Sequence, residues 1–307
     1  MRERICYFNG DYVKESEAKI LISDWGLVEG GVYELTRTFN HIPFKLKEHI
    51  HRFIRSLRCL PFIKFNLTQE EILDITMEVL NRNETCLDQK EDWAIIYRAT
   101  RGVQFDPSAR PTFYIHTVLL PYGFSHAQLA KFYAQGAPLV VASTRQISPQ
   151  CLDPKIKHTN RLSYNMAEYE AKMVDPEAFT LMLDQNGFVA EGARENFLMV
   201  SGGKLFTPKL MDCLEGVTRA TIFELAREMK TEFIEADLTI ANLYNADEMM
   251  VTNTSVCIVP ISKFNNQPLG IPIPGPLTKK LMSAFGKLVN CDFVERALKL
   301  SSGSGGK

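Results

Sequence analysis

Leu214-Glu215-Gly216-Val217-Thr218-Arg219 is the stretch from which the rest of this 307-residue chain can be read. Helical spacing of apolar residues runs over about 218–230, so the segment opens a helix whose first backbone N–H groups have no partner of their own. Together with the positive end of the helix dipole, such N–H groups favour a phosphate. Taken alone, the same segment is equally an ordinary helix start capped by Thr218.

Working outward, Ala190-Glu191-Gly192-Ala193-Arg194-Glu195-Asn196-Phe197 lies upstream, between the turn Asp184-Gln185-Asn186-Gly187 and a strand. Carboxylates beside glycine are commonly turn residues. Further upstream, Pro154-Lys155-Ile156-Lys157-His158-Thr159-Asn160 sets a lysine just before an amphipathic helix. An isolated lysine is usually a solvated surface group. Downstream, Val251-Thr252-Asn253-Thr254-Ser255 closes a strand with hydroxyls and an amide, as a second anion contact or as a polar turn.

The remaining pattern predicts two mixed α+β domains: a small one over 1–120, a connection over 121–136, a large one over 137–298 and a flexible tail over 299–307. Asn9-Gly10-Asp11 predicts a hairpin between strands at 4–8 and 12–13. Strands are expected at 32–39, 42–46, 93–100 and 112–120, and helices at 48–60 and 68–81, the second opened by a capping box from Thr68 to Glu71. In the second half, strands are expected at 139–143, 179–183, 197–200, 205–206 and 249–251, and helices at 160–173, 218–230 and 276–289. The run 257–261 is a further short apolar segment.

Composition narrows the function classes. Thirty-five basic against thirty-six acidic residues leave a net charge of −1, so there is no global field for nucleic acid or an anionic membrane, and any anion site is local. No apolar run is long enough for a bilayer span, and the N-terminus lacks a signal-peptide core. Seven scattered cysteines without CxxC spacing read as reduced thiols in a cytoplasmic protein. No metal site is expected, because His49 and His51 would diverge on a helix or a strand. The early strands precede no GxGxxG, which argues against a nucleotide-dependent oxidoreductase.

In order and spacing, Glu191-Gly192 with Glu195-Asn196, then 214–219, then Thr252-Asn253-Thr254-Ser255, then Gly275-Pro276-Leu277-Thr278-Lys279-Lys280 resemble the class IV (fold type IV) aminotransferases. These depend on pyridoxal 5′-phosphate and include the branched-chain, D-amino-acid and R-selective amine transaminase groups. The resemblance implies a two-domain fold like that of D-amino-acid aminotransferase, a small-molecule amino donor and a 2-oxo acid acceptor as partners, and a homodimer. It makes Lys157 the residue that holds the cofactor covalently and later carries a proton, which requires a neutral amine for part of the cycle.

By the same resemblance, Glu191 pairs with the pyridine nitrogen. The N–H groups of Val217 and Thr218, the Thr254 hydroxyl and Arg52 hold the phosphate, and Leu214 packs on the ring. Tyr33, Arg98 and Ser255 fall at substrate positions. Tyr33 follows the D-amino-acid group and Arg98 the branched-chain group, so the pocket is a hybrid. The tyrosine that contacts the cofactor phenolate in branched-chain enzymes is replaced by Leu162, with Tyr164 nearby but unassigned. The lyase branch carries a threonine at the position of Leu35, so elimination chemistry is disfavoured. A catalytically idle ligand-binding protein on the same fold is the other alternative, and the joint presence of Lys157 and Glu191 speaks against it.

Overall fold

The computed structural model describes residues 3–87, 91–106 and 108–303. The chain forms two compact units, one of Met1–Tyr122 with Ile156–Asn160 and one of Gly123–Lys155 with Arg161–Lys307.

In the first unit, β1 (Ile5–Phe8) and β2 (Asp11–Lys14) form the expected hairpin. Asn9 and Gly10 both take positive φ, the twist a two-residue turn needs between right-handed strands. β3 (Val32–Phe39) and β4 (Ile42–Pro43) precede helices α1 (Leu46–Arg58) and α2 (Gln69–Asn83). β5 (Trp93–Ala99) and β6 (Phe113–Leu119) complete a six-stranded antiparallel sheet of order β2-β1-β6-β5-β3-β4.

The strand expected at 42–46 is cut to two residues. Lys45 turns the chain at φ 51° and Leu46 already belongs to α1. The capping box at Thr68 forms as predicted, with Thr68 and Glu71 bonded reciprocally. Apolar residues of both helices, among them Ile50, Phe53, Leu57, Ile72 and Val79, share one core with Ile95, Tyr97, Phe113 and Ile115 of the sheet. Strand alternation then sends Tyr33, Arg98 and Tyr114, which stand opposite one another on β3, β5 and β6, to the face away from that core.

The second unit begins inside the stretch expected to be a connection. Residues 126–135 form α3 (His126–Gln135), whose start is capped by Ser125 and which buries Leu129, Ala130, Phe132 and Tyr133. These burials repeat at helical spacing, so 121–136 holds an element rather than a plain linker. β7 (Ala137–Val141), α4 (Leu162–Val174), β8 (Phe179–Leu181), β9 (Asn196–Ser201) and β10 (Lys204–Pro208) follow. Next come α5 (Val217–Glu228), β11 (Phe233–Ala236), α6 (Ile240–Tyr244), β12 (Glu248–Asn253), β13 (Cys257–Phe264) and β14 (Gln267–Pro268). α7 (Pro276–Leu288) and α8 (Phe293–Gly303) close the chain.

The larger sheet runs β11-β10-β9-β12-β13-β7-β8, with β14 paired to β13. Its β10–β11, β13–β7 and β7–β8 pairs are parallel. The first residues of the expected tail continue α8, with the Ser301 and Ser302 hydroxyls donating to Leu298 O. Residues 304–307 lie outside the described residues.

Candidate active site

Lys157 lies on a short extended stretch that adds to the open half of the β3 edge. β4 pairs only with the far end of β3, at Thr38 and Phe39, and leaves the backbone near Val32 available. His158 bridges Val32, Tyr33 N donates to Lys157 O at 2.9 Å, and Thr159 N donates to Gly31 O at 2.8 Å. Lys157 N donates to Ser56 Oγ of α1 at 3.1 Å. The lysine is thus fixed by its own backbone while its side chain stays half-buried, with Nζ 4.4 Å from the centre of the Tyr33 ring. Lys155 instead faces Asp153, at 4.0 Å.

Arg52, on the buried side of α1, grips Glu34 of β3 with two bonds, Nε to Oε2 at 2.8 Å and Nη2 to Oε1 at 2.6 Å. His49 Nδ1 is 3.1 Å from the same Oε1. Burial alone would raise the Glu34 carboxyl, but the Arg52 charge and the bonds from Arg52 and His49 outweigh it and hold it well below the usual carboxylate range. Burial likewise pushes His49 down, against the pull of Glu34. Arg98 is exposed on the opposite face of the sheet, where Nη1 meets Tyr114 Oη at 3.4 Å.

In the second unit Glu191 is 6% exposed and surrounded by donors. Oε1 accepts from Tyr164 Oη and from Gln146 Nε2, both at 3.1 Å, and Oε2 accepts from Leu214 N at 2.9 Å. Asn196, at the start of β9, holds the other side of the same loop by donating Nδ2 to Leu214 O at 3.0 Å. Gly216 passes so close to this amide that a Cβ would sit 1.9 Å from Asn196 Oδ1. The chain therefore enters α5 with glycine at the N-cap and no side-chain cap, with Val217 and Thr218 buried in its first turn. The Thr218 cap suggested by sequence does not form, because Thr218 is already inside the helix.

Thr254 and Ser255 occupy the tight turn between β12 and β13. Asn253 shapes this turn by accepting Ser255 N at 2.8 Å and Val256 N at 2.9 Å on its Oδ1, while its Nδ2 donates to Glu195 Oε1 at 3.3 Å. Glu195 Oε2 accepts from Arg194 N at 2.9 Å. Burial pushes the Glu195 carboxyl up to about 7, against the N–H and the charge of Arg194. Leu162, at the position of the phenolate tyrosine, is 75% exposed on the first turn of α4.

The family model for amino-transferase class IV matches residues 31–264. A provisionally assigned branched-chain-amino-acid aminotransferase of Methanocaldococcus jannaschii is 34% identical over 91% of this chain and 94% of its own length. A D-alanine aminotransferase of Staphylococcus aureus is 30% identical over 92% of this chain and 97% of its own. Among solved structures, a T.th. branched-chain amino acid aminotransferase with pyridoxamine 5′-phosphate superposes with a TM-score of 0.83 at 25% identity, over 96% of this chain and 97% of that one. The chain belongs to the class IV aminotransferases. It is an aminotransferase whose cofactor is pyridoxal 5′-phosphate.

The residues present suit that cofactor. A buried carboxylate ringed by donors suits a cationic ring N–H, and the uncapped first turn of a twelve-residue helix suits a phosphate. Among the described residues, Gln146 Oε1 is also buried without a hydrogen-bond partner. Among the described residues, no cluster of His, Cys, Asp and Glu could hold a metal ion, and no helix is long and apolar enough to cross a membrane. Sequence reasoning missed Glu34, Gln146 and the place of Tyr164. Glu34 was legible as a carboxylate on the helix-facing phase of β3, whereas nothing local in the sequence links Gln146 to a glutamate 45 positions away.

Proposed function

We propose that this chain is a transaminase that moves an amino group between an amino acid or primary amine and a 2-oxo acid in a ping-pong cycle. Its substrates are branched-chain or similar aliphatic or aromatic amino acids, or R-amines. The relatives support this range, since those at 34% and 30% identity are named for branched-chain amino acids and for D-alanine. The observation that carries the site assignment is the loop 214–218. One backbone run there both donates to the Glu191 carboxylate and presents the uncapped start of α5.

When bound, the cofactor's ring accepts the electron pair released as the substrate Cα loses its proton. Lys157 is the group that holds the cofactor and carries that proton, and its backbone anchorage to β3 and α1 limits where Nζ can travel. Glu191 accepts the ring N–H, and Leu214 limits the tilt of the ring. The Val217 and Thr218 N–H groups, the Thr254 hydroxyl and Arg52 hold the phosphate, with Glu34 fixing the plane of the Arg52 guanidinium. Tyr33, beside Lys157, and Ser255 each take a substrate-contacting role, and Arg98 takes the substrate carboxylate. The protein acts as a homodimer in the cytoplasm, a compartment that suits its seven free thiols.

Half-reaction spectra with L-leucine, D-alanine, L-glutamate and R-1-phenylethylamine test the substrate range, each active donor bleaching the bound cofactor's yellow absorbance. Silence from all four would sink it. Lys157→Ala is expected to abolish covalent attachment of the cofactor, read by borohydride reduction and peptide mapping. Reduction onto a different lysine would refute the assignment. Arg98→Ala is expected to slow amino acids but spare the amine, whereas equal losses would make Arg98 structural.

A further inference from the structure

Tyr164 and Gln146 are buried polar side chains, 4% and 2% exposed, that converge on Glu191. Gln146 Nε2 donates both to Tyr164 Oη, at 2.7 Å, and to Glu191 Oε1, at 3.1 Å. Because the phenol oxygen already receives that N–H, its own proton is directed along the 3.1 Å contact to Glu191. The opposite amide orientation would put the Gln146 carbonyl against the carboxylate, so the donors must face Glu191. The third donor, Leu214 N, approaches the other carboxylate oxygen.

The two residues are themselves held, Gln146 by its backbone and Tyr164 by its ring. Gln146 N donates to Leu183 O at 2.9 Å, and Gln185 Nε2 donates to Gln146 O at 2.7 Å. Arg161 lies over the Tyr164 ring at 3.5 Å and also bonds Ala193 O. A cation on the ring face draws electron density from the phenol and makes its O–H a better donor. A phenylalanine and an apolar residue could fill the same volume but would leave the buried Glu191 carboxylate short of two donors, so the polar groups answer to Glu191 rather than to packing.

We propose that Tyr164 and Gln146 are positioning residues for Glu191: they hold its carboxylate as an acceptor, so that the proton shared with the cofactor stays on the ring nitrogen. This rests on the assignment of Glu191 to that nitrogen made above. Removing a donor makes the carboxylate more basic and draws the proton toward Glu191. The ring is then a poorer electron acceptor.

The experiment uses holoenzyme loaded with pyridoxal phosphate labelled with 15N in the ring, in the wild type, Tyr164→Phe, Gln146→Met and the double variant. The ring-nitrogen resonance is expected at its protonated position in the wild type. It moves stepwise toward the unprotonated position in the variants, and kcat falls roughly ten-fold per lost donor, in line with a hydrogen bond to a charged group, while KM for the amino donor is unchanged. An unmoved resonance in the double variant overturns the proposal, whatever kcat does. Should Tyr164→Phe fail to fold, read by circular dichroism, Gln146→Met alone carries the test, and an unmoved resonance there overturns the proposal. Glu191→Gln is the control: an unmoved resonance there brings down the Glu191 assignment itself.

Discussion

Two carboxylates, Glu34 and Glu195, show how one residue type is driven in opposite directions by burial and company. Burial of Glu195 outweighs the Arg194 N–H and the charges of Arg194 and Arg161, with Glu168 adding to the rise, so its carboxyl climbs from 4.5 to about 7. The folded carboxyl then keeps its proton up to about pH 7, whereas the unfolded one releases it near 4.5, so folding takes up a proton in that window. Stability should decline as pH climbs through it, by at most about 3 kcal/mol. Glu34 works the other way. Its lowered carboxyl contributes stability above the usual carboxylate range that is lost as pH falls below about 4.5. Urea unfolding from pH 3 to pH 8 should show both arms, and Glu195→Gln should flatten the upper one alone. An upper arm identical in Glu195→Gln and the wild type would show that Glu195 does not produce it.

At the scale of elements, helix starts are held by the groups that meet them. α5 begins at a glycine without a side-chain cap, while α7 begins at Gly275 with the buried Glu248 carboxylate accepting Leu277 N, Thr278 N and the Thr278 hydroxyl. A Cβ at Gly275 would lie 2.4 Å from the Glu248 carboxyl carbon, so the glycine is the condition for the cap. Glu248→Ala leaves those donors buried and unpaired. It should lower stability by about 2–3 kcal/mol, seen as a fall of several degrees in Tm. An unchanged Tm would mean that water replaces the carboxylate without cost. The contrast is functional as well: a capped start is closed to ligands, and the uncapped start of α5 is the one assigned to phosphate.

At the scale of the whole molecule, the proposed homodimer predicts twice the 34.8 kDa chain mass in sedimentation equilibrium of the holoenzyme, and a single-chain mass at micromolar concentration would contradict it. Most strands and long helices were legible from the sequence, because their apolar periods survive in the folded burial pattern, as in β3 and α7. α3 and the start of α8 were not, since the polar residues around 121–126 and 290–292 resemble linker composition until the buried faces are seen. The sequence by itself determined the α+β class, the family and the candidate reactive groups, because ordered motifs at fixed spacing carry that information along the chain. Tertiary structure decided which groups meet: that Lys157 is pinned to β3, that Arg52 answers to Glu34, and that Tyr164 and Gln146 both bond Glu191. Hydrogen bonds and burial connect residues tens of positions apart, and no local pattern encodes those pairings.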